Sequence, residues 1–157
     1  MNLQRILVPI DFSESTTNVL QYAETLAREC RANVTLLHVI QPDGSHRRRN
    51  ISKERLIEEM REAGEQQLRK LTDELWSGEI ATDAVVATGK PCLQIVGEAE
   101  EMSSDLIIMS SHGLVGSWGL FRRNTLAKVV RHAPCPVLIV HPSKQGFIRD
   151  TSRQRIP

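Results

Sequence analysis

Arg5-Ile6-Leu7-Val8-Pro9-Ile10 is a short apolar run, rich in β-branched residues and closed by Asp11. A strand with one face in water alternates apolar and polar side chains. A run that is apolar at nearly every position suits a strand covered on both faces, the situation of a parallel sheet flanked by helices. Asn33 to Ile40, Ala84 to Ala87, Asp105 to Met109 and Val137 to Val140 share the pattern, which gives five expected strands.

The segments between them carry helical spacing. From Ser13 to Arg31, Val19, Leu20, Ala23, Leu26, Ala27 and Cys30 recur at intervals of three and four and predict one buried stripe. Ser52 to Trp76 sets Leu56, Ile57, Met60, Ala63, Leu68, Leu71 and Leu75 against a charged face. Pro91 suits the first turn of a third helix bearing Ile95, Val96 and Ala99, because its missing N–H would be unpaired there anyway. A fourth is expected from an Asn124 cap to His132, with Leu126, Val129 and Val130 inward. Strands alternating with helices imply right-handed crossovers, hence an α/β fold with a single doubly wound parallel sheet and about four helices.

Composition narrows the function. The 157 residues suit one domain with a sizeable core. Lys plus Arg number 20 and Asp plus Glu 19, so no bulk field selects nucleic acid or an anionic membrane as partner, and any anion site must be local. The apolar run before Asp11 is too short for a signal sequence or a membrane span, which predicts a cytoplasmic protein. Cys30, Cys92 and Cys135 form no C-x-x-C and are expected as small buried thiols, with no metal site. Gln41 to Asn50, with its Arg47-Arg48-Arg49, and the tail from His141 to Pro157 are expected to be solvated and flexible.

In such sheets ligands sit beyond the carboxyl ends of the strands, where strand order reverses. Asp11, Gln41 and Asp43, Thr88-Gly89-Lys90-Pro91 and Ser110-Ser111-His112-Gly113-Leu114-Val115-Gly116-Ser117 fall there. The last segment offers glycine backbone and hydroxyls suited to phosphate, although its glycines would also serve a plain surface turn. Neither G-x-x-x-x-G-K-[ST] nor a G-x-G-x-x-G after the first strand occurs. G-x-S-x-G is absent too, and neighbouring Ser110, Ser111 and His112 do not make a triad, so no catalytic residue is assigned.

Four blocks carry a resemblance. Ile6-Leu7-Val8-Pro9-Ile10-Asp11-Phe12-Ser13, Leu36-Leu37-His38-Val39, Asp105 to Gly113 and His132 to Val140 resemble the universal stress protein family in order and spacing across residues 3 to 141. The resemblance implies a Rossmann-like sheet in the order 3-2-1-4-5 spanning residues 1–142, followed by a basic tail, 143–157. It implies ATP, with magnesium bound through the phosphates, and a homodimer paired through Val137 to Val140. In that family's G-x2-G-x9-G-[ST] loop this chain places Ser110, Gly113, Arg123 and Asn124. The implied nucleotide site is Pro9, Ile10, Asp11, Val39, Gly89, Met109, Ser110, His112, Gly113, Gly116, Arg123, Asn124 and Thr125. Asp11 would face ribose and adenine, Val39 would offer backbone to the adenine edge, and Gly89 would line the wall. His38 is expected as a packed core residue. An alternative is a dimeric interaction protein whose degenerate loop holds no phosphate, with an unknown protein client in either case. Asp11-Phe12-Ser13-Glu14-Ser15 after the first strand lacks the serine- and glycine-rich loop of adenylating relatives on related folds.

Overall fold

A computed structural model describes residues 3–42, 49–76, 79–111 and 123–141. The segments 43–48, 112–122 and 142–157, which include Arg47 and Arg48, most of the Ser110–Ser117 loop and the basic tail, lie outside the described residues. In chain order the elements are β1 (Arg5–Ile10), α1 (Ser15–Cys30), β2 (Asn33–Ile40), α2 (Lys53–Leu75), β3 (Thr82–Thr88), α3 (Pro91–Glu101), β4 (Leu106–Ser110), α4 (Arg123–His132) and β5 (Val137–Val140). All five strands are parallel, in the order β3-β2-β1-β4-β5.

The uniform hydrophobicity of the strands is explained by the two layers they separate. Ile6, Val8, Ile10, Val34 and Leu36 face one core with Val19, Leu20 and Ala23 of α1 and Leu68 of α2. Leu7, Leu37, Val39, Ile107 and Met109 face the other with Ile95 and Ala99 of α3 and Val129 of α4. Side chains still alternate along each strand, but both destinations are dry. Each fully buried Leu or Ile contributes roughly 1.5–3 kcal/mol relative to exposure.

Helix ends follow local chemistry. The Ser52 hydroxyl accepts from Arg55 N at 3.1 Å and caps α2, while Pro91 occupies the first turn of α3. α1 stops at Arg31, whose left-handed backbone (φ 56°) returns its N–H to Ala27 O. At the start of the sheet, Asp105 Oδ2 accepts the N–H groups of Gln4 and Arg5, both at 2.9 Å, and these bonds hold the carboxyl below its ordinary pKa.

Several expectations are corrected. Cys30 is exposed because it follows Ala27, the last buried residue of α1; Cys92 and Cys135 are partly buried rather than enclosed. Helical phase turns Ala63 outward and Gly64 inward. Asn124 lies inside α4, which begins one residue earlier, and Val130 is 51% exposed beside fully buried Val129.

Gly64 lets α2 approach β2, since a Cβ there would stand 3.0 Å from His38 Cδ2 and 3.5 Å from Val86 Cγ2. Alanine would add about 0.5–1 kcal/mol of helix propensity. Overpacking against a ring held by its own hydrogen bond costs typically 1–3 kcal/mol. Gly64→Ala is therefore expected to destabilise the fold by about 1 kcal/mol in urea unfolding, and a stabilised variant would show that the contact is loose.

Candidate functional site

In a parallel strand successive residues direct their N–H and C=O to opposite neighbours. Asn33 N donates to Gln4 O at 2.7 Å and Asp105 N to Arg5 O at 2.8 Å, so even-numbered residues of β1 face β2 and odd-numbered ones face β4. Pro9 therefore faces β4, and it has no N–H to give. Registered pairing between β1 and β4 ends at Leu7↔Ile107, three residues short of the end of either strand. That is where strand order reverses.

On the other side β2 outruns β1. The β1–β2 register ends at Ile10↔His38, whereas β2–β3 continues to Ile40↔Thr88. Since Asn33 N points to β1 and Val34 N to β3, the backbone of Val39 points to β1, at the level where that strand has ended. The carboxyl ends of β1, β2 and β4 thus frame one recess.

Asp11 follows directly on β1. Ser13 N (3.0 Å), Ser13 Oγ (2.6 Å) and Thr16 Oγ1 (3.4 Å) all donate to its Oδ1, a closed turn that explains why α1 starts at Ser15 rather than Ser13. Oδ2 is buried and has no partner. An unpaired buried carboxylate oxygen costs free energy until a donor reaches it. The chain turns sharply here, Phe12 adopting a left-handed backbone (φ 57°) that brings its ring to 4.6 Å from the His38 ring. His38 Nδ1 lies 2.9 Å from Ile10 O and donates to it, which fixes the neutral tautomer. His38 is partly buried, its ring packed against Phe12 and facing Gly64 of α2.

Gly89 donates its N–H to Ile40 O at 3.0 Å and has φ 145°, and a Cβ on it would stand 3.0 Å from the Gln94 amide nitrogen, so no other residue fits comfortably. Pro9, Ile10, Met109 and Ser110 are buried at the strand ends. Arg123 and Asn124 open α4, and Thr125 in the same turn is buried. His112, Gly113 and Gly116 lie outside the described residues. Among the described residues no group of three or more His, Cys, Asp or Glu could hold a metal ion.

A strand order of β3-β2-β1-β4-β5 with its recess at the β1/β4 reversal is shared by many folds, so the sequence match decides the lineage. The model of the universal stress protein family matches residues 2–141. The chain belongs to the universal stress protein family. It is 28% identical over 152 residues to the universal stress protein MJ0531 of Methanocaldococcus jannaschii, covering 90% of this chain and 84% of that one. Its fold matches the solved structure of MJ0577 from the same organism with a TM-score of 0.76 at 24% identity, over 92% of this chain and all of that one. The Archaeoglobus fulgidus universal stress protein solved in complex with dAMP matches with a TM-score of 0.62 at 20% identity, over 88% and 98% of the two chains.

Two contacts at these strand ends leave little trace in the sequence. Ser13 and Thr16 hold Asp11, and the D-x-S spacing was the available signal, an Asx-type turn. Ser111 Oγ and His141 Nδ1 lie 2.8 Å apart across the ends of β4 and β5, a contact between residues 30 apart that no local pattern reports.

Burial lowers the His38 pKa, and this outweighs the Ile10 carbonyl and the Asp11 charge, which favour the cation. The unfolded chain then takes up a proton near pH 6.5 that the folded chain refuses, so His38 subtracts stability as pH falls below that value and none above it. Proton NMR titration of the His38 ring is expected to give a midpoint below about 6.5; a midpoint above it would contradict this environment.

Proposed function

We propose that this universal stress protein is a regulatory module that binds an adenine nucleotide, ATP with magnesium carried on its phosphates, in the recess framed by β1, β2 and β4. The observation that carries the reading is Asp11: its Oδ1 is committed to Ser13 and Thr16, while Oδ2 is buried, unpartnered and at the strand-order reversal. A ribose hydroxyl would supply the missing donor. Val39 backbone groups, directed past the end of β1, suit an adenine edge, and Gly89 lets the β3–α3 turn lie close to the ligand. The dAMP carried by the Archaeoglobus fulgidus relative supports the same ligand class.

The departures from the G-x2-G-x9-G-[ST] loop are compatible with phosphate. Ser110, at the first glycine position, is the last residue of β4 with its side chain buried. Arg123, at the third, is in the first turn of α4, whose leading N–H groups lack intrahelical acceptors and can meet an anion whatever the side chain. No reaction is proposed. The Ser111–His141 pair sets a hydroxyl beside an imidazole across the ends of β4 and β5.

Calorimetric titration with ATP, ADP and dAMP in magnesium tests the proposal. Asp11→Asn keeps an acceptor for Ser13 and replaces Oδ2 by a donor, so affinity should fall about tenfold or more, as for a lost charge-assisted hydrogen bond of about 1.5–3 kcal/mol. Unchanged affinity would remove Asp11 from the site, and no binding by the parent at millimolar nucleotide would favour the non-nucleotide interaction protein.

The module is further proposed to act in the cytoplasm as a homodimer through β5. Three free cysteines suit a reducing compartment. Pro136 O and Val140 O accept from β4, so the backbone groups of Val137 and Ile139 face outward on a sheet edge. Ile139→Pro removes an outward N–H and no bond to β4; it should sediment as a folded monomer, and a persistent dimer would place the interface elsewhere.

A further inference from the structure

The two edges of this sheet are not equivalent. On β3, Ala81 O accepts Val34 N of β2 at 2.9 Å, and Gly89 N reaches Ile40 O of β2 at 3.0 Å. By alternation the backbone groups of Thr82, Ala84, Val86 and Thr88 face away from the sheet, a row of acceptors and donors open to an added strand. Arg61 of α2 reaches over this row. Its Nη1 donates to Val86 O at 3.0 Å and its Nη2 to Thr88 Oγ1 at 3.3 Å, both bonds partly buried. The contact ties together residues 25 and 27 positions apart, and it spends a charged side chain on a carbonyl that water would satisfy equally well. On β5, by contrast, no side chain among the described residues bonds to the outward backbone of Val137 or Ile139.

Two open edges on one chain permit β3 of one copy to receive β5 of the next, a head-to-tail contact that does not close. One open edge permits only self-pairing about a two-fold axis, which does. We propose that Arg61 is an edge guard: its guanidinium occupies one outward acceptor of β3, Val86 O, and the Thr88 hydroxyl beside it, blocks strand addition over that stretch, and so confines pairing of this chain with its own copies to β5. Bidentate reach explains the residue type, since a neutral side chain of similar length supplies neither the charge nor two donors at that span. The statement about β5 rests on the proposed dimer; the statement about β3 does not.

Sedimentation velocity on the full chain separates the two. Arg61→Leu and Arg61→Gln are each made alone and together with Ile139→Pro, with far-UV circular dichroism reporting folding. In the parent background the weight-average mass should rise above that of a dimer and increase with concentration. In the Ile139→Pro background it should shift from one chain toward two, and Arg61→Lys, which keeps a donor for Val86 O, should restore most of the parent value. If Arg61→Leu fails to fold, Arg61→Gln, which remains polar at the edge, decides. Masses unchanged from the Arg61 chains in both backgrounds would overturn the guard. A monomeric parent would overturn the β5 reading alone, and the Ile139→Pro comparison would still decide the role of Arg61.

Discussion

The backbone bonds of β1 run to β2 from its even-numbered residues and to β4 from its odd-numbered ones, and at Pro9 the bond toward β4 has no donor. A proline in a central strand ordinarily argues against the strand, because it deletes a rung of the ladder. Here the deleted rung lies where strand order reverses and pairing between β1 and β4 has already ended at Leu7↔Ile107. The sheet needs its full ladder at the other end, where Asp105 ties the start of β4 to that of β1. Stability and the recess are thereby assigned to opposite ends of the same pair of strands.

The same alternation accounts for the surroundings of the recess. It turns the Val39 backbone toward the space β1 has vacated and turns Ile40 toward Gly89. It also sets the outward rows of β3 and β5, of which, among the described residues, β3 carries an arginine clamp. Asp11 then occupies the first position beyond β1, with one oxygen holding the turn and the other unpaired. Phe12 in a left-handed conformation and the neutral His38 ring brace that turn from the α2 side. Left-handed backbone at a residue that is not glycine is costly and persists where its surroundings determine it.

Most of this fold was legible in the sequence, because strands buried on both faces announce themselves without reference to distant residues. β1, β2 and β5 begin and end where the apolar runs do, and Pro91 and Ser52 mark their helix starts. Phase was harder: Ala63 and Gly64 differ by one residue, and only contact with His38 explains why the smaller one faces inward. Val130 and Cys30 are apolar residues on faces that no element covers among the described residues, which spacing alone does not reveal. For the proposed site, Asp11 and Gly89 were expected from their places after strands, and Val39, inside β2, from the family resemblance. Their geometry was not, since it depends on where β1 stops relative to β2. The Arg61 and Ser111–His141 contacts join residues far apart in the chain and leave no local trace.

The most direct test of the account is amide chemical-shift mapping while an adenine nucleotide is added to the parent chain. The account predicts shifts concentrated at residues 10–13, 38–40, 89 and 110–111, with the opposite ends of the same strands, at 5, 33, 82 and 106, unmoved. Shifts centred on those opposite ends, or none at saturating nucleotide, would contradict it.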